Sequence, residues 1–257
     1  MTDEFRSWRL ATPEPSFEDL LASVHLQEIT RGRRGAVLVE PDARGVPLVR
    51  TTTPYAAAAQ RFRPLHAQLA QAIHEGGALP QPFNNALAEH YTSAYAKMKR
   101  HSDQAQDLAD GSWIAVYSCY RDPRRPSRRL VIHPKGPGAA DEIVLEHHGV
   151  VAFSLASNQR FTHAITLRSP SPSPANEWFG ITFRTSKTWV RFLDGTPTLP
   201  HGAPLTLASD DQRRELLQMR RRENEETGFV YPLISYTLSQ SDLLAPTAPS
   251  HGAGVEA

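Results

Sequence analysis

The apolar positions of this chain change period near residue 103. Upstream, Phe62, Leu65, Leu69, Ala72 and Ile73 recur at helical spacing within residues 56–74, and Gly76-Gly77 predicts the stop. A shorter amphipathic stretch covers residues 17–24, and a second helix is expected from Phe83 through Asn84, Asn85 and Leu87 toward Tyr91. Segments 37–39 and 46–52 look extended and flank Pro41-Asp42-Ala43-Arg44-Gly45, which reads as a hairpin. Downstream, residues 113–120, 129–133, 142–145, 149–154, 163–167 and 178–184 are short strand-like runs divided by Pro, Gly and Asp clusters. Strands at regular intervals after helices predict a barrel or jelly roll supported by helices. The Ser-Pro repeat at 169–174 must be a loop. A last helix is expected from Asp210 to about Glu226, with Ser209 as its N-cap.

Length sets the scale: 257 residues make one large domain or a domain with extensions. The reading is an N-terminal extension at 1–45, a core at 46–240 and a disordered tail at 241–257. Charge adds little, because 28 basic residues nearly cancel 27 acidic ones and no global field marks a nucleic-acid binder. A single cysteine, Cys119, excludes an intrachain disulfide framework and fits a reducing compartment. The first residues carry no apolar segment and no run of eighteen apolar residues occurs, so the cytoplasm is expected, without membrane spanning.

Candidate chemistry sits where the period changes. His101-Ser102-Asp103 places an imidazole and a carboxylate two residues apart, so on an extended segment they point the same way. His163, at the start of a later strand, is the natural third partner, and two imidazoles with one carboxylate suit one face of an octahedral Fe(II). Arg184, ending another strand, offers a planar fork for a carboxylate. The competing readings are a solvated loop pair for the triplet and a core histidine for His163. Glu146-His147-His148 reads as a turn entering a strand rather than a metal cluster.

These residues resemble a known family. The run from Phe83 through Tyr91, then Met98, His101 and Asp103, the strands at 114–118 and 149–154, His163, and Thr182-Phe183-Arg184 look like the AlkB-like branch of the Fe(II)/2-oxoglutarate oxygenases, over roughly residues 46–188. The resemblance implies an α+β, mainly β fold: a double-stranded β-helix (jelly-roll) core with supporting N-terminal helices and a C-terminal helix. It implies iron held by His101, Asp103 and His163, with Arg184 and Tyr91 contacting 2-oxoglutarate. With O2, that co-substrate would yield succinate and CO2 while a substrate C–H bond is oxidised.

The departures matter. Where the family carries a first arginine six residues before Arg184, this chain has Trp178; Gly180 and Glu89 replace two asparagines. Something else must hold the distal carboxylate, and Lys187 and Arg168 rank ahead of Arg160 and Arg191. Tyr55, Arg50, Tyr117 and Trp178 are the candidate substrate residues, each with ordinary packing as its alternative. The basic loop 121–129 is available to track phosphates, whereas helix 210–226 looks like a solvated face with pairs such as Arg221 with Glu225. A small-molecule or peptide-like substrate is favoured over alkylated nucleic acid, and a barrel that binds metal without turnover is the third reading.

Overall fold

A computed structural model describes residues 4–10, 15–167 and 176–248. In chain order its elements begin with β1 (Phe5–Arg9), α1 (Phe17–Ala22), β2 (Gln27–Thr30), β3 (Arg33–Val39), β4 (Val46–Leu48), β5 (Gln60–Arg61), α2 (Pro64–Gly76) and β6 (Asn85–Tyr91). There follow β7 (Trp113–Tyr120), β8 (Arg128–Pro134), β9 (Asp141–Val144), β10 (Gly149–Ser154), α3 (Leu155–Arg160), β11 (Phe161–Leu167) and β12 (Trp178–Arg184). The chain closes with β13 (Thr188–Leu193), β14 (Thr196–Thr198), β15 (Thr206–Leu207), α4 (Asp210–Glu225), β16 (Tyr236–Thr237) and a 3-10 turn at Gln240–Leu243, which runs into the segment expected to be a disordered tail.

The large sheet runs β1-β10-β7-β12-β6-β3-β2, with β5 on β3, and a smaller sheet runs β11-β8-β9. From β6 onward the chain alternates between them. The segment around His101 bridges β11, β7 returns to the large sheet, β8 and β9 join the small one, β10 returns, β11 crosses, and β12 returns. That alternation is a double-stranded β-helix. One core, including Ile114, Val116, Leu130, Ile132, Phe153, Ile165 and Trp178, fills the space between the sheets. The other packs α1 and α2 on the outer face of the large sheet, against Ala86, Ala88, Ala115, Tyr117, Phe179 and Phe183. Strand alternation decides which side chains look inward: Tyr91, Glu89, Ser118, Tyr120, Trp178, Gly180 and Arg184 share the inner face.

Several expectations are corrected. Asn85–Tyr91 is a strand, not a helix: all seven residues are buried between β3 and β12, and central placement overrides the helical preference of Ala86, Leu87 and Ala88. Residues 37–39 and 46–52 form no hairpin, since β3 pairs with β6 while β4, which contains Pro47, pairs with β13 in another sheet. The helix expected from residue 56 opens only at Pro64, in keeping with proline's fit at the first helical position. The segment 1–45 supplies β1, β2 and β3 to the large sheet. The Ser-Pro loop, Arg168 and the end of the tail, 249–257, lie outside the described residues. Among the described residues no helix is long and apolar enough to cross a membrane.

Candidate active site

His101 and His163 face each other across a two-residue bridge in which each backbone N–H donates to the other's carbonyl, at 2.9 and 2.7 Å. This exchange brings two residues sixty-two positions apart into one register. Nδ1 of His101 lies 2.9 Å from the Lys99 carbonyl. A carbonyl only accepts, so Nδ1 carries the proton and the Nε2 lone pair is free to ligate. Asp103 Oδ1 lies 3.6 Å from His101 Nε2 and 3.5 Å from His163 Nε2. Ligand atoms of all three residues fall within 4.8 Å of one another.

Electrostatics favour the ligating forms. Burial pushes the His163 pKa down, against the pull of Asp103, so the imidazole is held neutral. Burial also works to raise the pKa of Asp103. The Arg184 charge, helped by the adjacent His101 and His163 imidazoles, overrides it and holds the carboxyl well below the usual carboxylate range. Arg184 Nε donates to Asp103 Oδ2 at 2.7 Å. Two imidazoles and one ionised carboxylate are a donor set that fits a divalent first-row metal.

The backbone of residues 101–105 is held from two sides. Asn158 in α3 accepts from Asp103 N–H and donates to the Asp103 carbonyl, both at 2.8 Å. From α4, Arg220 donates to the Ser102 carbonyl at 2.7 Å, while Asn224 and Glu223 accept from the N–H groups of Ser102 and Ala105, each at 2.8 Å. Arg220 and Glu223 are buried and form an ion pair with each other. The helix expected to be a solvated face therefore has a polar inner face that braces the site. Its Arg222 pairs with Glu226 rather than Arg221 with Glu225.

The other residues of interest fall in distinct places. Tyr91 is fully buried, donates its hydroxyl to Glu89 at 2.8 Å and stacks on Trp178 with ring centroids 4.8 Å apart. The Trp178 indole lies directly over Gly180, where an added Cβ would overlap it. Tyr55 packs over Gly35, also buried. Arg50 is locked in a two-pronged pair with Asp107, 2.9 and 2.7 Å, and donates further to the carbonyls of Ile234 and Tyr236. Tyr117 faces the helices on the outer side of the sheet, its hydroxyl 2.5 Å from His148 Nδ1. Lys187 is exposed and paired with Asp110 at 2.9 Å; Arg160 pairs with Glu4, and Arg191 donates to the Arg44 carbonyl.

Sequence reasoning overlooked Arg33, which pairs with Glu89 at 2.6 Å, and also the bracing residues Asn158, Arg220, Glu223 and Asn224. No spacing rule links them to the triad, because they meet it only through the fold. Cys119, His147 and His148 also gather ligand-type atoms within 4.8 Å. Yet His147 Nδ1 already accepts from the Tyr120 N–H at 3.0 Å, so one of its two ring nitrogens is committed to the backbone.

No family model matches the chain, and no curated protein matches it. Among solved structures, that of OsALKBH1 is similar over 72% of this chain and 99% of its own length, at 13% identity and a TM-score of 0.48.

Proposed function

We propose that this protein is an Fe(II)- and 2-oxoglutarate-dependent oxygenase that oxidises a C–H bond of a small-molecule or peptide-like substrate. The single observation that carries the reading is the convergence of His101, Asp103 and His163 beside Arg184 at one end of the barrel. When bound, the metal would let O2 act as the oxidant, with two electrons drawn from 2-oxoglutarate, which leaves as succinate and CO2, and two from the substrate C–H bond.

The chain's own residues bind and orient. His101 offers Nε2 because Lys99 holds its other nitrogen protonated, and Asp103 stays ionised beside Arg184. Only Nε of Arg184 is hydrogen-bonded among the described residues, which leaves its terminal nitrogens for a carboxylate next to the metal. The bracing of residues 101–105 by α3 and α4 limits their freedom, so the ligands need little rearrangement on metal uptake.

Substrate class follows from the basic loop. Arg121 pairs with Glu18 and Glu177, Arg124 and Arg125 with Asp122, and Arg129 with Glu142, while Arg128 is buried. A loop whose cations are neutralised within the protein is a poor track for phosphates. The test is succinate formation from 2-oxoglutarate with Fe(II), alone and with methylated DNA or RNA oligonucleotides. Turnover abolished by His163→Ala and indifferent to the oligonucleotides is expected. Strong stimulation by an alkylated oligonucleotide would overturn the substrate class, and absence of both iron binding and turnover would overturn the oxygenase reading.

A further inference from the structure

Arg128 is the only fully buried arginine among the described residues, and it has no ion-pair partner among them. Nη2 donates to the carbonyls of Thr92 and Tyr95, both at 2.9 Å, but Nε and Nη1 meet no acceptor. Three of its five N–H donors are thus left over. Glu89, the carboxylate whose field reaches it, is already paired with Arg33 and accepts from Tyr91. Burial pulls the Arg128 pKa downward, as expected of a cation stripped of water without a counter-charge. Leaving such a group buried and unpaired is strongly unfavourable, and native interiors leave few donors unmet.

Its surroundings repeat the pattern. The guanidinium lies over the Tyr91 ring at 4.9 Å and near the Trp178 ring at 5.9 Å, and the Trp178 indole N–H is itself buried without an acceptor. Ser118, opposite Gly180 on the inner face, also has an unpartnered buried hydroxyl. Buried donors of three residues therefore line the same inner region, with an excess of positive charge. The complement is an anion with several acceptor oxygens.

The strands say how that anion is connected. On β8, Arg128, Leu130 and Ile132 alternate inward, and Ile132 stands opposite His163 in register. Arg128 is four residues back, roughly 13 Å along the strand. On β12, Arg184 touches Asp103 and Trp178 is six residues back. Both strands thus put the triad at one end and the leftover donors at the other. A molecule chelating a metal with a 2-oxo acid head would direct its tail toward Arg128.

We propose that Arg128 binds the distal carboxylate of 2-oxoglutarate, from the small sheet, in place of the arginine that Trp178 replaces on β12. The proposal rests on the oxygenase reading above. It makes Arg128 the residue that selects a dicarboxylic over a monocarboxylic 2-oxo acid, and it assigns the site neither to Lys187, committed to Asp110 at the surface, nor to the substrate's own charge.

The test compares 2-oxoglutarate with 2-oxopentanoate, which has the same chain length but a methyl in place of the distal carboxylate. Affinities are read from tryptophan fluorescence of Mn(II)-loaded wild type, Arg128→Met and Arg128→Lys, with Mn(II) uptake checked separately by electron paramagnetic resonance. Wild type should prefer 2-oxoglutarate on the order of 100-fold, the worth of charge-assisted hydrogen bonds. Arg128→Met should lose that preference while binding 2-oxopentanoate and Mn(II) normally, and Arg128→Lys should keep part of it. Lysine retains the charge, so that variant decides the matter if the methionine variant does not fold. A wild type without preference, or a folded variant that keeps the full preference, overturns the proposal. Failure of wild type to take up Mn(II) would instead sink the metal reading. The anchor is then decided in metal-free protein: glutarate, but not pentanoate, should raise the melting temperature of wild type and not of Arg128→Met, and equal effects of the two acids would overturn it.

Discussion

Arg184 Nε and Asp103 Oδ2 lie 2.7 Å apart, joining the last core strand to the carboxylate of the His-x-Asp segment, with both side chains buried. The pair keeps Asp103 ionised and aimed between two imidazole nitrogens. Removing the cation strands a buried carboxylate. Arg184→Met should destabilise the metal-free protein by about 3–5 kcal/mol, and a bound divalent ion should restore part of that loss by supplying the missing charge. Urea denaturation with and without Mn(II) measures both; an unchanged midpoint in the metal-free variant would contradict the pairing.

His163→Ala and Asp103→Ala should each weaken metal binding by at least about 100-fold, since even the loss of an outer hydrogen bond costs 10–100-fold. Titration of Co(II) with its visible absorption band gives the affinity. Circular dichroism of the same samples establishes that the barrel is intact.

Asn224→Ala removes an acceptor of the Ser102 N–H without touching a ligand. The expected result is a Co(II) affinity lowered roughly 10-fold, with stability reduced by about 1 kcal/mol. Wild-type affinity in this variant would mean that α4 does not order the ligand segment.

Gly180 is required by Trp178, whose indole occupies the space a side chain would take. Gly180→Ala should cost roughly 1–3 kcal/mol through overpacking. Combining it with Trp178→Leu should give back part of that cost, because residues in contact are not additive. Thermal denaturation of the two single variants and the double variant closes the cycle.

His66 is fully buried, with Nδ1 accepting from the Arg63 N–H and Nε2 2.9 Å from the Ser23 hydroxyl, and burial lowers its pKa to about 4. The unfolded chain, with a pKa of about 6.5, binds this proton more readily than the folded one. Stability is therefore fully present above about pH 6.5 and falls as pH drops toward 4, by an amount on the order of 3 kcal/mol. Burial lowers His148 to about 4 as well, so it adds to the same window. His66→Gln should reduce the loss between about pH 6.5 and pH 4, leaving the part that His148 contributes; an unchanged slope would refute the assignment.

How legible the molecule is from its residues varies by element. Strands β7, β10 and β12 are read with their observed bounds, because long apolar or β-branched runs between turn residues admit few other structures. Strand β6 is misread, because Ala86, Leu87 and Ala88 are good helix formers and only burial between two neighbouring strands makes them extended. The short strand β4 is seen as extended, but its partner is β13, 140 to 144 residues away in register, and no local signal names it.

The residue types of the site are legible for a chemical reason: His101 and Asp103 are two apart, and an extended backbone needs nothing else to point both the same way. Their company is not. Whether Arg184 reaches Asp103, whether α4 is a solvated rod or a brace, and which arginine is left buried without an acid depend on contacts between segments distant in the chain. Sequence by itself determined the alternation, the turns and the candidate ligands, since these arise from neighbours along the backbone. Tertiary structure alone decided pairing, burial and charge compensation, since a side chain's environment is made by whatever the fold packs against it.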